Sequence, residues 1–471
     1  MRILLLLAAS CALTACASRP SPDAPAERPP NIIFIMADDL GYGDLGSYGQ
    51  TQIQTPHLDQ MAAEGLRFTQ FYAGSTVCAP SRSVLMTGQH TGHTSVRGNG
   101  NPPEQSILPT DYTVAELLQD GGYATGLAGK WGLGSPEYGG LPNDEGFGWF
   151  YGYLNQVHAH NFYPEWLWLN QDTVRLANEV TRAPNSYGGF TGGYATKKVD
   201  YTHDLFMDES LAFVERHQAE PFFLYLALTI PHANNEARHG PEHGMEVPDY
   251  GPYANRDWPE PQKGHAAMIT RMDDGIGQLR AQLEALGLAD DTIVMFTSDN
   301  GPHREGGGDP DFFDSNGPLR GIKRALYEGG IRVPFIVWGG GIAPGVSDHI
   351  GYSGDVYATA ADLAGLTPPD SIQRVLDSVS FAPLLRGNAE AQRQHEALYW
   401  EFYEQGSRQA VRKGSWKAIR QPMFTGAVEL YNLDDDIGET TDVAGAHPEI
   451  VAEMQQLMET MRTDDPRWQV R

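Results

Sequence analysis

The chain has 471 residues, of which 41% are hydrophobic, so it can bury a large core and is neither disordered nor fibrous. Its 33 lysine and arginine residues face 60 aspartate and glutamate residues, which gives a formal net charge of −27. Such a surface repels nucleic acid and anionic membranes, so nucleic acid is excluded as a partner. Any anion site must therefore be a local cluster of cations.

The N-terminal segment, residues 1–16, has a short basic start, an apolar run and small residues before Cys16, as in a secretory signal. The last four residues of this segment resemble a bacterial lipobox, which implies cleavage before Cys16 and lipidation of that cysteine. Residues 17–30 are rich in proline, alanine and serine and predict a flexible tether. We expect an exported lipoprotein, periplasmic or at the cell surface, that contacts the outer membrane only through its lipid. The alternative is an ordinary cleaved signal with a fortuitous cysteine.

From Asn31 to about residue 374, apolar runs alternate with helical patterns, which predicts a large, mostly parallel sheet flanked by helices. Five runs have the character of buried strands: 31–39, 123–130, 221–232, 292–301 and 333–340. Helices are predicted between them at 55–66, 113–122 and 264–287.

Four of these strands end in polar residues that are unusual for a core: Asp38, Asp39, Lys130, His232, Asp299 and Asn300. In open α/β sheets, ligands gather at the carboxyl ends of the strands. We therefore expect these side chains to converge, although they lie far apart in the sequence.

After about residue 375 the pattern changes to alternating runs at 397–402, 408–420 and 428–433, which are typical of antiparallel strands. A helix predicted at 447–462 would close this small sheet. We divide the mature chain into an α/β domain at 31–374 and a smaller C-terminal domain of antiparallel sheet plus helix at 375–471.

Cys78 is the one cysteine left in the mature chain if the signal is removed and Cys16 is lipidated. A lone cysteine in an oxidising compartment is either buried and inert or used for chemistry. Pro80, two residues later, suits the first turn of a helix. Cys78 would then lie at a helix N-terminus, where free N–H groups and the helix dipole favour an anion.

The segment CAPSR at 78–82, followed by LMTG at 85–88, resembles the C-x-P-x-R signature of type I sulfatases in the alkaline phosphatase superfamily. The resemblance is to bacterial arylsulfatases and N-acetylgalactosamine sulfatases. In this family a maturation enzyme oxidises the cysteine to formylglycine, whose hydrated form, a geminal diol, attacks sulfur. The resemblance therefore implies a sulfatase that requires a formylglycine-generating enzyme as a partner and uses Cys78 as the source of its nucleophile.

The resemblance also implies one calcium ion, held by Asp38, Asp39, Asp299, Asn300 and the formylglycine made from Cys78. These residues supply oxygen donors, which suit a hard cation such as Ca²⁺. No spacing of cysteine and histidine predicts a zinc site. Asp299 is the best candidate for the base that activates the diol.

Arg82, Lys130 and Lys323 match the family's cations. Arg82 would orient the diol, and the two lysines would hold sulfate oxygens and stabilise the charge that develops during transfer. His232 matches a family histidine that contacts the sulfate and can protonate the departing alcohol.

One position departs from the family's pattern. Many relatives have a histidine two residues after the motif lysine, where this sequence has Gly132. That histidine is thought to help deprotonate the diol, so its loss removes a base from that step. We hypothesise that His160 or His158, in the polar insert 156–164, replaces it. The alternative is that the two histidines have no part in the chemistry.

His303 and Arg304 follow the Asp-Asn-Gly segment and are predicted to bind substrate at the entrance of the site. The stretch 149–168 is dense in aromatic residues, which stack on sugars, although core packing explains at least half of them. Export, the tether and this insert favour degradation of a polysaccharide with sulfated galactose or N-acetylgalactosamine units. The alternatives are a phosphonate or phosphate diester hydrolase of the same superfamily and a non-catalytic lipoprotein that binds sulfated glycans.

Overall fold

A computed structural model describes residues 28–100, 103–183 and 192–470. The predicted signal, the lipidation site at Cys16 and nearly all of the tether lie outside the described residues. Within them, no helix combines the length and the apolar character needed to cross a bilayer.

The strands in chain order are β1 (Asn31–Ala37), β2 (Leu66–Tyr72), β3 (Ala124–Lys130), β4 (Trp149–Tyr153), β5 (Trp166–Leu169), β6 (Asp172–Arg175), β7 (Glu179–Arg182), β8 (Gly193–Lys197), β9 (Phe222–Ala227), β10 (Thr292–Ser298), β11 (Arg332–Gly339), β12 (Gly345–Ser347), β13 (Gly351–Tyr352), β14 (Leu398–Phe402), β15 (Arg408–Lys413), β16 (Trp416–Arg420) and β17 (Val428–Asn432). The helices are α1 (Pro56–Glu64), α2 (Cys78–Thr87), α3 (Val114–Asp120), α4 (Thr202–His217), α5 (Glu260–Ala285), α6 (Pro310–Phe313), α7 (Glu328–Ile331), α8 (Asp355–Ala364), α9 (Asp370–Gln373), α10 (Ala382–Leu385) and α11 (Pro448–Thr460).

The larger sheet has eleven strands among the described residues, in the order β12-β2-β11-β10-β1-β9-β3-β4-β5-β6, with β13 also paired to β2. Its centre, from β10 through β1, β9 and β3 to β4, is parallel. β11 runs antiparallel to both β10 and β2. The sheet is therefore mostly parallel, as expected, but the strand predicted at 333–340 reverses its direction.

Helices cover both faces of this sheet. In β1, Ile33 and Ile35 pack into the core on the side of α1, α4 and α5, whereas Ile32 and Phe34 pack into the core on the side of α2, α3 and α8. Every residue of β1 is buried. A strand buried on both faces is apolar at each position, which explains why the sequence shows a continuous apolar run.

The C-terminal sheet is antiparallel, in the order β14-β15-β16-β17. Its Trp400 packs against Tyr72 of the larger sheet, and its other face receives Met454 from α11. The expected fold class, a small antiparallel sheet plus helix beside a large α/β unit, is confirmed. Buried Lys417 of β16 adds an ion pair to Glu328 at the start of α7, with 2.8 Å between nitrogen and oxygen.

Candidate active site

The carboxyl ends of three parallel strands, β10, β1 and β3, bring polar residues to one edge of the large sheet. Asp38 and Asp39 follow β1, Lys130 ends β3, and Asp299 follows β10. Ala37 lies opposite Ser298, so Asp38 and Asp299 leave adjacent strands at the same level. The Asp39 N–H donates to Asp299 Oδ1 at 3.1 Å. The sheet topology thus brings together residues that are more than 200 positions apart.

Cys78 is the first residue of α2, and its Sγ lies 3.4 Å from Asp38 Oδ1. Pro80 stands in the first turn, where its missing N–H costs no hydrogen bond. The helix N-terminus is less open than expected, because the Ala79 N–H donates to Asn99 Oδ1 at 3.0 Å. The helix nevertheless directs residue 78 at the acidic pair.

Three buried ion pairs share this pocket. They join Arg82 to Asp299 at 2.9 Å, Lys130 to Asp38 at 2.7 Å and Lys323 to Asp39 at 2.8 Å. Three formal negative charges therefore meet three positive ones, and no buried charge is left without a partner.

The carboxylates of the pocket differ in proton affinity. Burial opposes ionisation of Asp38, but the charges of Lys130 and Arg82 outweigh it and hold the pKa of Asp38 well below its usual range. Burial and the charge of Asp38 raise the pKa of Asp299 to about 7. Asp299 is therefore the carboxylate best suited to accept a proton near neutral pH.

Burial and the negative charge of Asp38 also raise the pKa of the Cys78 thiol far above its usual range. The thiolate is the nucleophilic form of cysteine, and this thiol stays protonated at neutral pH. The unmodified side chain is thus poorly suited to attack a substrate.

The acidic residues and Asn300 form a set of oxygen donors beside Cys78. The Asn300 amide nitrogen donates to Asp39 Oδ1 at 2.6 Å and to the Gly301 carbonyl at 2.8 Å. Its Oδ1 is buried and has no hydrogen-bond partner among the described residues. Ligand atoms of Asp38, Asp39 and Cys78 lie within 4.8 Å of one another. An orphaned carbonyl oxygen beside carboxylates fits a hard cation such as Ca²⁺.

Three imidazole rings stack beside the pocket, with His232 between His160 at 4.9 Å and His303 at 5.6 Å. His232 Nδ1 lies 2.7 Å from the Ala233 carbonyl and donates to it, so Nε2 faces the pocket. Burial and the charge of Lys323 lower the pKa of His232 to about 3. The ring is therefore neutral before a ligand binds.

Gln156 fills the space beside Gly132. An ideal Cβ at position 132 would lie 2.5 Å from Gln156 Nε2. That nitrogen is buried and has no hydrogen-bond partner among the described residues. Gln156 therefore occupies the space that a side chain at position 132 would enter, a contact that the sequence analysis missed.

A cavity of about 580 Å³, here called the mouth cavity, lies beside the histidine stack. Its charged and polar lining includes Asn99, His160, Glu236, Arg238, Glu305, Arg324 and Glu404. Glu305 links it to the pocket, since its carboxylate is 3.9 Å from both Lys323 Nζ and His232 Nε2. Arg324 pairs with the same carboxylate at 2.7 Å.

His303 and Arg304 were predicted to bind substrate at the entrance, and neither lines the mouth cavity. His303 is buried, its Nε2 lies 3.3 Å from a backbone carbonyl, and its Nδ1 accepts the Glu305 N–H at 2.9 Å. Neither ring nitrogen is left for a substrate. Arg304 is half exposed and pairs with Asp309 and Asp311, away from the mouth cavity.

His158 is also placed differently from the hypothesis. Its ring packs against Tyr153 at 5.0 Å and Trp166 at 4.3 Å, and burial lowers its pKa to about 3. Only His160 of the two faces the mouth cavity, where its Nδ1 lies 3.0 Å from Glu236. His158 is therefore held between aromatic rings, partly buried, and does not line the mouth cavity.

Three further residues of the site were missed. Glu305 follows the Asp-Asn-Gly segment closely enough for its position to have been noticed. Asn99 lies after α2, and Glu404 lies in the loop between β14 and β15. Nothing local in the sequence marks these two, because only packing of the C-terminal sheet brings Glu404 to the cavity.

Family comparison matches residues 30–366 to the Sulfatase family. Residues 321–464 match the family described as N-sulphoglucosamine sulphohydrolase, C-terminal. The first match alone covers well over half of the chain.

Individual relatives agree with this assignment. Human arylsulfatase A is 33% identical over 475 residues, covering 91% of this chain and 87% of the human protein. The N-acetylgalactosamine-6-O-sulfatase of Bacteroides thetaiotaomicron is 30% identical over 530 residues, covering 98% and 99%. The crystal structure of Ps i-CgsB in complex with k-i-k-neocarrahexaose has a TM-score of 0.76 at 26% identity, covering 94% and 95%. The chain therefore belongs to the sulfatase family and is a sulfuric ester hydrolase.

Proposed function

We propose that the chain hydrolyses sulfate esters on a carbohydrate, with sulfated galactose or N-acetylgalactosamine units as substrates, using a calcium ion and a formylglycine made from Cys78. The observation that carries this proposal is the contact of buried Cys78 with Asp38 in a pocket where three carboxylates pair with three cations. Membership in the sulfatase family supports the same reaction.

Charge balance explains why this pocket suits a sulfate ester. The three ion pairs cancel, so a divalent cation held by Asp38, Asp39, Asp299 and Asn300 leaves a formal excess of two positive charges. In a buried pocket that excess favours an anion and the charge that develops on its oxygens. The calcium ion supplies concentrated positive charge, and formylglycine supplies the hydrated aldehyde that attacks sulfur.

The chain's own residues then hold the ester and move protons. Lys130 and Lys323 bind sulfate oxygens, and Arg82 keeps Asp299 in place through contacts of 2.9 Å to its carboxylate and 2.7 Å to the Lys130 carbonyl. Asp299, whose pKa is raised by burial and by the charge of Asp38, accepts the proton of the attacking hydroxyl.

His232 acts at the departing alcohol. Because its Nδ1 is bound to the Ala233 carbonyl, Nε2 is the atom that reaches the pocket. A negative ester beside the ring favours uptake of a proton from solvent at Nε2, and the imidazolium then donates that proton to the departing alcohol. His160 stacks on the ring and, through Glu236, holds it in place. Gln156 donates a hydrogen bond to the ester, but its amide nitrogen cannot act as a base.

The residues that line the mouth cavity favour a sugar as the alcohol part of the sulfate ester. Glu236, Glu305 and Glu404 can accept hydrogen bonds from the hydroxyl groups of a sugar. The relatives named above include an N-acetylgalactosamine sulfatase and an enzyme solved with a neocarrahexaose. These features favour galactose or N-acetylgalactosamine units.

The proposal is tested by co-expressing the chain with a formylglycine-generating enzyme and measuring turnover of a panel of sulfated mono- and oligosaccharides. Mass spectrometry of the Cys78 peptide reports conversion of the thiol to an aldehyde. The matched control is Cys78→Ala, which we expect to fold and to be inactive.

Two outcomes would overturn the proposal. Faster cleavage of an aryl phosphodiester than of the sulfate of the same alcohol would indicate a phosphonate or phosphate diester hydrolase. Glycan binding without turnover, in protein shown to carry the aldehyde, would indicate a non-catalytic lipoprotein.

A further inference from the structure

A second and larger cavity, of about 740 Å³, lies beside the C-terminal sheet and has no part in the mechanism above. We call it the aromatic cavity, since three of its lining residues are Tyr403, Phe424 and Trp468. We propose that it binds an unsulfated sugar of the same glycan chain whose sulfated unit enters the mouth cavity. This inference rests on the proposed carbohydrate substrate.

Phe424 provides an exposed aromatic face. Its side chain is 47% exposed, and its φ of 67° is a left-handed conformation that costs a non-glycine residue about 1–2 kcal/mol. The Arg462 guanidinium lies 4.9 Å from the ring centroid, and Arg462 is itself held by Glu401 at 2.9 Å. An exposed ring beside a guanidinium that is itself held in an ion pair is suited to stacking on a ligand.

Tyr403 and Trp468 form a second part of the wall, with ring centroids 5.8 Å apart. The Tyr403 hydroxyl donates to Glu401 at 2.7 Å, and the Trp468 Nε1–H donates to the Ser95 carbonyl at 2.8 Å. Because the polar atoms of both rings are bonded within the protein, their orientation is fixed. Their apolar parts then line the cavity, as in sites that pack against the faces of sugars.

The two cavities are next to each other. Tyr403 lines the aromatic cavity, and the following residue, Glu404, lines the mouth cavity. Glu404 accepts the Asn99 N–H at 2.9 Å. An ideal Cβ at Gly98 would lie 2.9 Å from the Trp468 ring and 3.7 Å from the Glu404 carboxylate. A single layer of residues therefore separates the aromatic wall from the mouth of the active site.

Charge identifies the occupant as an unsulfated unit. Asp464 and Asp465 lie in the wall of the aromatic cavity, and the cation there, Arg462, is already paired with Glu401 and with Asp464. A second sulfate would meet no excess positive charge, whereas carboxylates accept hydrogen bonds from hydroxyl groups.

The test compares Phe424→Ala with wild type on two substrates: the best sulfated oligosaccharide of the panel and its own sulfated monosaccharide. We expect KM for the oligosaccharide to rise about three- to tenfold, as loss of one aromatic contact implies, with kcat unchanged. Kinetics on the monosaccharide should not change. Phe424→Tyr should behave as wild type, and so should Tyr138→Ala, which removes a 46% exposed ring that lines neither cavity.

An equal change on both substrates, or none on either, would overturn the proposal. A binding measurement separates it from the proposed function: calorimetric titration of wild type and Phe424→Ala with the desulfated oligosaccharide needs no catalysis. If the panel yields no substrate, desulfated neocarrahexaose is the probe. Weaker binding by the variant supports the aromatic cavity even where turnover fails, and equal or absent binding refutes it even where turnover succeeds.

Discussion

Replacing Gln156 by leucine should make the protein more stable and the enzyme slower. A buried donor without a partner costs about 1–3 kcal/mol, and Gln156 Nε2 is such a donor among the described residues. Leucine is similar in size, so the substitution removes this cost without opening a large cavity. The free energy of unfolding of the ligand-free protein should therefore rise by about 1 kcal/mol or more.

The same substitution removes the hydrogen bond that we assign to the bound ester. Loss of one donor aimed at developing charge lowers kcat by about 10²- to 10³-fold in other enzymes, and we expect the lower end of that range. Urea unfolding measures the stability, and turnover of an aryl sulfate by the matured enzyme measures the rate.

Gln105→Leu is the matched control, because Gln105 Nε2 donates to the Gly132 carbonyl at 2.9 Å. Its loss leaves a buried carbonyl unsatisfied and should lower stability by about 1 kcal/mol. A Gln156→Leu protein that is less stable than wild type, or that turns over at the wild-type rate, would refute the reasoning.

Gly132→His should destabilise the protein, because the φ of 81° at this position costs a histidine about 1–2 kcal/mol. Adding Gln156→Gly should recover only the part of the lost stability that is due to overlap of the new side chain with Gln156. Full recovery of stability in urea unfolding would contradict this. Burial and the charge of Glu116 raise the pKa of Glu145 from 4.5 to about 8, so the folded protein keeps a proton that the unfolded chain releases. This contribution to stability is complete below about pH 4.5 and is lost as the pH rises through about 8. Glu145→Gln should therefore gain stability relative to wild type across that range. A difference in unfolding free energy between variant and wild type that does not change with pH, measured by urea unfolding, would contradict this. Chelation of divalent cations should abolish turnover and calcium should restore it, so turnover that survives chelation would exclude the proposed ion. Cys16→Ala should move the protein from the membrane fraction to the soluble fraction of a bacterial host, and continued membrane association would argue against the lipid anchor.

The sequence alone was sufficient to predict the central strands and the residues that follow them. A strand buried on both faces needs an apolar residue at each position, and a polar residue such as Asp38 after such a run can be tolerated only where the strand ends. Because parallel neighbours end at one edge of a sheet, the meeting of Asp38, Lys130 and Asp299 could be expected without coordinates.

The structure was needed wherever a role depends on residues distant in the sequence. β11 is an apolar run like β1, yet it is antiparallel to its neighbour β10. The residues of such a run do not indicate the direction of the strand. His158 and His160 are equivalent in the sequence, but one ring packs against Trp166 and the other faces the mouth cavity.

Helix capping, strand burial and the position of Cys78 at the start of α2 depend on residues that are close together in the chain. The sequence by itself therefore determines these features. The filling of the space at Gly132 by Gln156, and the approach of Glu404 from the C-terminal sheet to the mouth cavity, depend on how separate elements pack. Packing is a property of surfaces assembled from the whole chain, so these contacts could be known only from the tertiary structure.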